Sequence, residues 1–260
     1  MIAVEPGQVT PGIRALFRAD DPAALRCFAV LDGAAAGRIF VNQVDTPRWA
    51  VVQERAFGTV YPGGAIDAGA LAAAVTHLLP GGDVLLGLWP GDDRWQAAPT
   101  PDYIGHVLEF TGWRETGEFA ALPAGFELCR LDEELLARGH HGEYATAVYV
   151  LAARALREGF GLAILHHGEI VSEAFAGPAG LGQIEIGVAT TASYRGQGYG
   201  AAVCARLLGE CAARGHRPYW NCAQQNRASA ALARRLGFAS ERQYTLAAWF
   251  REIDQAGRHS

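Results

Sequence analysis

Glycine is concentrated in one short stretch that could hold a phosphate group, Tyr-Arg-Gly-Gln-Gly-Tyr-Gly at 194–200. The stretch follows an apolar run and opens a segment whose Val203, Leu207 and Cys211 share one face of a helix. Glycines let backbone N–H groups approach a ligand closely, and a helix N-terminus adds about half a positive charge. The stretch therefore predicts a cradle for a pyrophosphate. Its R-x-x-G-x-G spacing differs from the dinucleotide fingerprint G-x-G-x-x-G.

Arginine is concentrated around the same stretch. Residues 195–242 contain eight arginines and two acids, which gives this segment a local net charge of +6. Such a charge suits a polyanionic ligand. Because the whole chain carries a net charge of −5, a small phosphorylated ligand fits better than nucleic acid. A solvated, arginine-rich helix face is the alternative.

Composition excludes several other classes of protein. All 22 cationic side chains are arginine, so a P-loop lysine and a pyridoxal Schiff base are excluded. Five cysteines without a C-x-x-C pair argue against a zinc ribbon and a complete disulfide framework, and no metal is expected. A reducing cytoplasm suits them. The sequence begins without a basic region followed by an apolar core, and no apolar run reaches 18 residues, so we expect neither secretion nor a membrane span.

Further motifs follow the glycine stretch in a fixed order. The sequence E-I-G-V-A-T-T-A-S-Y-R-G-Q-G-Y-G at 185–200 precedes W-N-C at 220–222, N-R-A-S at 226–229 and L-G-F at 236–238. Together they resemble the GNAT superfamily of acyl-CoA-dependent N-acetyltransferases, and within it the branch that includes zwittermicin A resistance proteins. The resemblance covers roughly residues 126–249 and implies acetyl-CoA as co-substrate.

The resemblance assigns cofactor contacts residue by residue. Residues 188–190 match a strand whose backbone, opened by a bulge, bonds the pantetheine arm, and residues 196–201 match the pyrophosphate loop. Asn226 matches an asparagine that heads the last helix, where an asparagine N-cap is independently expected. Arg195, Arg227 and Arg234 are candidates for the phosphates. The expected cofactor contacts are Val188, Ala189, Thr190, Arg195, Gly196, Gln197, Gly198, Tyr199, Gly200, Ala201, Asn226 and Ser229.

Two positions depart from the family pattern. Many members have a tyrosine acid seven residues after the asparagine, where this chain has Ala233, and several have a carboxylate base five residues before it, where this chain has Asn221. An alkylamine of pKa about 10 is deprotonated in only about one part in a thousand at pH 7, so a base or a desolvating site is needed. The resemblance makes Glu185 the leading base, with an exposed strand glutamate as the alternative.

Other groups complete the candidate chemistry. The backbone N–H of Val188 is the expected oxyanion donor, and Tyr244 or Tyr219 is the expected replacement acid. Cys222 is either an acyl-accepting nucleophile or a packing residue. The histidine pairs at 140–141 and 166–167 lie beside glycines and are interpreted as turn residues, with a substrate role as the alternative.

The elements that must position these residues predict an α/β (α+β) chain in two parts. Residues 123–260 are expected to form a GNAT-like, mostly antiparallel twisted sheet with flanking helices. Acetyl-CoA is expected in a split between the strands 183–190 and 219–222. One long helix is expected to carry Tyr144, Val148, Leu151 and Ala155 on one face. Residues 1–122 are expected to form a smaller α/β domain, interpreted as a degenerate copy that binds no cofactor and either walls the acceptor cleft or mediates dimerisation.

The sequence thus predicts an N-acetyltransferase that moves an acetyl group to a primary amine of a small molecule by direct attack in a ternary complex. A catalytically silent acyl-CoA-binding or interaction protein is the rival hypothesis, because Ala233 and Asn221 stand where acid and base are often found. A homodimer is a further expectation; nucleic acid and membrane partners are not expected.

Overall fold

A computed structural model describes residues 1–116 and 121–251 of the chain. The first half contains α1 (Pro11–Arg14), α2 (Ala24–Leu31) and α3 (Ala68–Leu78), with strands β1 (Ile2–Val4), β2 (Gly37–Val41), β3 (Trp49–Glu54), β4 (Thr59–Gly64), β5 (Val84–Leu88) and β6 (Tyr103–Trp113). The second half contains α4 (Glu133–Arg138), α5 (Gly142–Tyr149), α6 (Ala152–Glu158), α7 (Tyr199–Ala213) and α8 (Arg227–Arg235), with strands β7 (Phe126–Arg130), β8 (Phe160–His166), β9 (Glu169–Gly180), β10 (Gln183–Thr190), β11 (Arg217–Ala223) and β12 (Phe238–Trp249).

Local sequence signals explain many of these bounds. Asp67 caps α3, where its side chain accepts a hydrogen bond from the Ala70 amide. The β8–β9 hairpin turns at His167 and Gly168, whose φ angles of 51° and 80° match the turn that such hairpins favour. The strand expected at 183–190 and the helix that follows the glycine loop are confirmed at those positions.

The twelve strands of the described residues form one sheet, in the order β1-β2-β3-β4-β5-β12-β6-β11-β10-β9-β8-β7. Among the described strands, neighbours are antiparallel except for the pairs β4–β5 and β10–β11. The strands β1–β6 of the first half correspond in order to β7–β12 of the second half. If each strand is replaced by the one it corresponds to, the same strand order is obtained, read from the opposite edge of the sheet. The sheet therefore has the topology of two similar halves related by a pseudo-twofold axis between β12 and β6.

The two halves exchange their last strands. β6 lies between β11 and β12 of the second half, while β12 lies between β5 and β6 of the first. Along the centre of the sheet, β12 pairs with β6 from Phe238 to Ala248 and with β5 from Thr245 to Trp249. The mixed, mostly antiparallel sheet is confirmed. The domain division at 122/123 stays a prediction, but β6, which precedes it, lies within the second half's part of the sheet.

The single helix expected around residues 144–159 is wrong. It is two helices, α5 and α6, that separate at Val150, which has a φ of 71°. The carbonyl of Val148 accepts a hydrogen bond from the amide of Ala36 in the first half, at 2.7 Å. Leu151, expected on the buried face, is 64% exposed. The tertiary contact and the backbone reversal override the helical pattern.

One hydrophobic core joins the halves. Leu25 and Phe28 of α2 belong to the same buried cluster as Phe175 of β9 and Tyr219 of β11. A second cluster packs α7 and α8 on the second half of the sheet, and a third packs α3 on the first. Because α2 packs against β9 and β10, the first half contributes side chains beside β10, the strand that leads to the glycine loop.

Candidate active site

The neighbouring parallel strands β10 and β11 part after a short contact. They pair only from Gln183 to Glu185 on β10 and from Arg217 to Tyr219 on β11. A bulge lies in β10 between Ile184 and Ile186; from Ile186 onward β10 pairs with β9 alone, while the end of β11 pairs with β6. The expected split is therefore present, and backbone groups on the open side of β10 lose their strand partner.

A cavity of about 700 Å³ occupies the outer part of this split. All the residues expected to contact the cofactor line it except Gln197, whose side chain instead donates to the Ser193 carbonyl. His140 and Arg235 also line it and were not predicted. The lining residues are His140, Val188, Ala189, Thr190, Tyr194, Arg195, Gly196, Gly198, Tyr199, Gly200, Ala201, Asn226, Ala228, Ser229, Ala231, Leu232 and Arg235.

The glycine loop presents the N-terminus of α7 to this cavity. Gly196 and Gly198 have φ angles of 77° and 91°, a backbone region that other residues enter at a cost. No side chain caps α7 within the described residues, so N–H groups of its first turn lack the side-chain partner found in α3. Asn226 caps α8, as expected, by accepting from the Ser229 amide at 3.1 Å. Two helix N-termini therefore border the same cavity.

The arginine-rich segment is not one continuous anion site. Of its eight arginines, Arg195 and Arg235 line the cavity. Arg214, Arg234 and Arg242 form ion pairs with Glu210, Glu241 and Glu109, respectively. Neither Arg227 nor Arg234 lines the cavity, so their role as phosphate contacts stays a prediction. Net charge counts these side chains together, whereas the fold points them in several directions.

A smaller cleft of about 340 Å³ continues from the cofactor cavity, and the two share Val188, Asn226 and Ser229. The cleft is lined by Arg26, Phe57, His141, Tyr144, Glu185, Ile186, Gly187, Val188, Trp220, Asn221, Cys222, Asn226 and Ser229. Arg26 and Phe57 belong to the first half, whose contribution to the cleft was one of the two roles expected for it. Arg26 also lies over the Phe57 ring, 4.8 Å from its centroid.

Glu185 lies in this cleft with both carboxylate oxygens engaged. Arg26 donates two hydrogen bonds to it, at 2.7 and 2.5 Å, and Asn221 and the Tyr144 hydroxyl donate at 3.1 and 3.3 Å. Glu185 is only 5% exposed, so the alternative of an exposed strand glutamate is wrong. Burial opposes the charge of Arg26, but the adjacent carboxylate outweighs it and raises the pKa of the guanidinium.

The tyrosines expected as acids lie elsewhere. Tyr244 packs its ring against Gly87 and Trp89, on the side of the first half, and Tyr219 is buried with its hydroxyl unpartnered among the described residues. Neither lines the cleft, and burial raises the pKa of both hydroxyls. The tyrosine in the cleft is Tyr144, which the sequence placed only on a helix face.

Cys222 lines the cleft but is poorly suited to be a nucleophile. Burial raises the pKa of its thiol, and a hydrogen bond with Ser229 opposes that shift only in part. Since the thiolate is the reactive form, a raised pKa favours the packing interpretation.

The first half has a corresponding split that its own chain fills. β4 and β5 pair only at Thr59–Leu85 and Val60–Leu86. Beyond this point the Gly64 amide donates to the Leu16 carbonyl at 2.8 Å, and a Cβ at Gly63 would lie 2.7 Å from the Phe17 ring. The helix that follows β4 is capped by Asp67, a carboxylate where a phosphate would otherwise sit.

The described residues contain no group of three or more His, Cys, Asp or Glu side chains arranged to hold a metal ion. None of their helices is both long enough and apolar enough to cross a membrane. A larger cavity of about 760 Å³ lies in the first half and shares only Phe57 with the cleft.

The sheet split, the glycine loop and the capped α8 define an acyl-CoA-dependent transferase fold. The family model for GNAT acetyltransferases matches residues 102–247, and the chain belongs to that family. The match begins at β6, ahead of the division expected at 122/123, as the strand exchange requires. Acyl transfer from acetyl-CoA is the activity that membership implies.

Particular relatives resemble different parts of the chain. An uncharacterised N-acetyltransferase of Bacillus subtilis (strain 168), YdfB, is 34% identical over 131 residues, which are 48% of this chain and 49% of YdfB. The chain thus spans about half the length of that curated relative. A GCN5-related N-acetyltransferase-like protein from Streptococcus suis matches in structure with a TM-score of 0.67 and 23% identity, over 93% of this chain and 99% of that one.

A tandem GNAT protein from the clavulanic acid biosynthesis pathway matches over 98% of this chain and 99% of its own, with a TM-score of 0.56 and 12% identity. At these identities the two solved structures establish likeness of fold alone. The whole-chain match to a tandem protein agrees with a sheet built from two similar halves.

Proposed function

We propose that this protein transfers the acetyl group of acetyl-CoA to a primary amine of a small molecule, by direct attack of the amine in a ternary complex. The observation that carries this proposal is the junction of the cofactor cavity and the cleft at Val188, Asn226 and Ser229. A thioester held at that junction meets an amine that enters from the cleft.

The residues present suit acetyl-CoA. The open side of β10 at residues 188–190 offers backbone groups to the pantetheine arm, and the uncapped first turn of α7 offers N–H groups to the pyrophosphate. Arg195 lies at the same cavity, with its Nε bonded to the Thr190 carbonyl at 3.1 Å. The Val188 N–H is the proposed oxyanion donor, and Glu185 and Tyr244 stay predictions as base and acid.

Cofactor binding is tested by calorimetric titration with coenzyme A. Wild type is expected to bind one equivalent, and Gly198→Asp to lose binding because it adds a carboxylate at the phosphate seat and a Cβ at a φ of 91°. Gly209→Asp is the matched control, since it adds the same charge to α7 where a Cβ meets no atom within 4 Å. Absence of heat with wild type, or equal losses in the two variants, would refute the proposal.

A catalytically silent acyl-CoA-binding protein is the second candidate. It is favoured by Ala233, which is fully buried in the core and leaves no acid at that position. Loss of one general acid costs about 10²–10⁴-fold in rate without abolishing it, and positioning supplies much of the catalysis. A thiol-release assay with acetyl-CoA against an amine library distinguishes the two candidates. If no amine increases thiol release while coenzyme A still binds, the silent protein is favoured.

The finer assignments are proposals as well. The W-N-C and N-R-A-S motifs support the zwittermicin A resistance-like branch. The five free cysteines support a reducing cytoplasm. The two-domain division at 122/123 is tested by expression of fragments, and the homodimer by light scattering.

A further inference from the structure

A histidine and a glutamate form a buried pair in the wall of the acceptor cleft. His141 is the N-cap residue of α5, and its Nδ1 lies 2.8 Å from Oε1 of Glu173 on β9. The backbone N–H of His141 donates to the same oxygen, also at 2.8 Å. The side chain of Glu173 is 1% exposed and that of His141 10%. In the sequence, residues 139–142 look like a turn, and nothing there indicates that His141 pairs with Glu173.

The hydrogen bonds orient the imidazole. Because Oε1 already accepts the backbone N–H of His141, it acts as acceptor toward Nδ1 too, so in the neutral imidazole the proton is on Nδ1 and the lone pair is on Nε2. Gly139 makes this closure of the loop over the carboxylate feasible, since a Cβ there would lie 2.2 Å from Oε2 of Glu173.

The free nitrogen faces the strand that holds the reacting centre. Nε2 of His141 has no hydrogen-bond partner among the described residues, and a Cβ at Gly187 would lie 2.7 Å from it. Gly187 immediately precedes Val188, the residue shared by the cofactor cavity and the cleft. The imidazole edge therefore lies within one residue of the proposed thioester seat.

We propose that His141 is the catalytic base of the reaction and that Glu173 is its positioning residue. This inference rests on the acetyl transfer proposed above. Glu185 shares the cleft, but its oxygens are engaged by Arg26, Asn221 and Tyr144, whereas Nε2 of His141 keeps an unused lone pair. A base needs such a lone pair within reach of the substrate proton.

The proton balance is complete. The ammonium form of the acceptor gives one proton to Nε2 of His141, and the resulting amine attacks the thioester carbonyl carbon. The C–S bond then breaks with its electron pair on sulfur, and the thiolate takes a second proton from the nitrogen. The amide keeps the third, and His141 releases its proton to water, so the products are the acetamide, coenzyme A and one proton.

Kinetics with His141→Asn test the role of the base. We expect kcat/KM to fall by about 10²–10⁴-fold, while coenzyme A affinity measured by calorimetry changes by less than about threefold. The acid limb of the wild-type pH profile should be replaced by a rate that follows the amine's own ionisation. Charged or titratable groups that face His141 in the cleft are Glu173, Glu185, Arg26, Tyr144 and Cys222. His167→Asn is the matched control, because His167 is exposed and its φ of 51° suits asparagine.

Two further variants separate chemistry from folding. Added imidazole should restore part of the activity of His141→Ala, which a merely structural histidine would not allow. Glu173→Gln should lower kcat with little change in KM and should alter the pH profile. If His141→Asn keeps the wild-type rate and profile while Glu185→Gln loses the acid limb, Glu185 is the base and the proposal is overturned.

A spectroscopic measurement tests the proposed state of His141 independently of turnover. If no amine were turned over, the proposed function would be refuted by that result alone. Two-bond ¹H–¹⁵N spectra of the histidine rings in the coenzyme A-bound protein should show His141 with its proton on Nδ1 and a bare Nε2. A proton on Nε2 with a bare Nδ1 would overturn the proposal for His141.

Discussion

Arg26 and Glu185 form a buried ion pair in the cleft. Arg26 and Glu185 lie 159 residues apart in the chain, and their side chains are 12% and 7% exposed. The pair joins α2 of the first half to the bulged strand of the second. It therefore serves the architecture of the cleft as well as its chemistry.

Breaking this pair should destabilise the protein strongly. Arg26→Met is expected to lower the free energy of unfolding by about 3–5 kcal/mol, because it leaves the Glu185 carboxylate buried without its counter-ion. Urea denaturation measures the loss, and Arg26→Met/Glu185→Leu should recover part of it. Arg38→Met is the control, since Arg38 bonds the neutral Gln53. A loss below about 1 kcal/mol for Arg26→Met would show that the pair is not a buried constraint.

Gly187→Ala should separate binding from turnover. The added Cβ would meet Nε2 of His141 at 2.7 Å, so the imidazole must move away from the strand. We expect kcat/KM for the amine to fall by roughly tenfold or more, with a smaller change in coenzyme A affinity. Gly209→Ala, in open space on α7, should leave both quantities near wild type. Equal kinetics in the two variants would argue that His141 does not act beside Gly187.

The sequence disclosed the two parts of the site unequally. Cofactor residues such as Gly198 and Asn226 lie in contiguous motifs whose local geometry, a loop and a cap, can be inferred from residue type. Arg26, Phe57 and His141 come from elements that only the tertiary structure brings to the cleft. The sequence did identify Glu185 as a site residue. Its ion pair with Arg26 could not be inferred, because the two residues lie 159 positions apart in the chain.

At the scale of elements, α7 and α3 occupy equivalent positions in the two halves but differ in how their N-termini are capped. α7 begins at a glycine with no capping side chain among the described residues, whereas α3 begins at Asp67, which caps it. A carboxylate at a helix N-terminus stabilises the helix and repels a phosphate. Together with Leu16 and Phe17 in the split of the first half, this supports a single cofactor per chain.

Asp67→Ala tests this contrast. The substitution should lower the free energy of unfolding by about 1 kcal/mol, the usual loss when a capping side chain is removed. The stoichiometry of coenzyme A should remain one per chain, because the filled split still excludes the ligand. Urea denaturation and calorimetric titration provide the two measurements. Binding of a second equivalent, in wild type or variant, would contradict the assignment of the first half as cofactor-free.

Element boundaries were predictable where local signals decide them. The β8–β9 turn and the starts of α3 and α7 follow from residue type. β6 escaped prediction because its residues include two glycines and the buried Glu109, which pairs with Arg242 of β12. A central strand whose two partners come from the other end of the chain carries little local signal.

At the scale of the whole molecule, the exchange of β6 and β12 should prevent the halves from folding separately. A fragment of residues 123–260 lacks β6, so it leaves the neighbouring edges of β11 and β12 unpaired. We expect it to associate or aggregate, as measured by size-exclusion chromatography with light scattering. A fragment that begins at residue 102 retains β6 and should associate less. A monomeric, cooperatively unfolding 123–260 fragment would contradict this expectation.

The position of β12 also bears on how the chain is made. The ribosome delivers β5 and β6 early, whereas β12, which separates them in the finished sheet, follows all the other described strands in the chain. At typical elongation rates of about 5–20 residues per second, β5 and β6 wait on the order of ten seconds for their common neighbour. Because β5 and β6 are both antiparallel to β12, they run parallel in the sheet, so any hairpin formed between them in that interval would have to open before β12 inserts. The centre of the sheet is thus completed by its last strand, and the growing chain depends on a late insertion into its own centre.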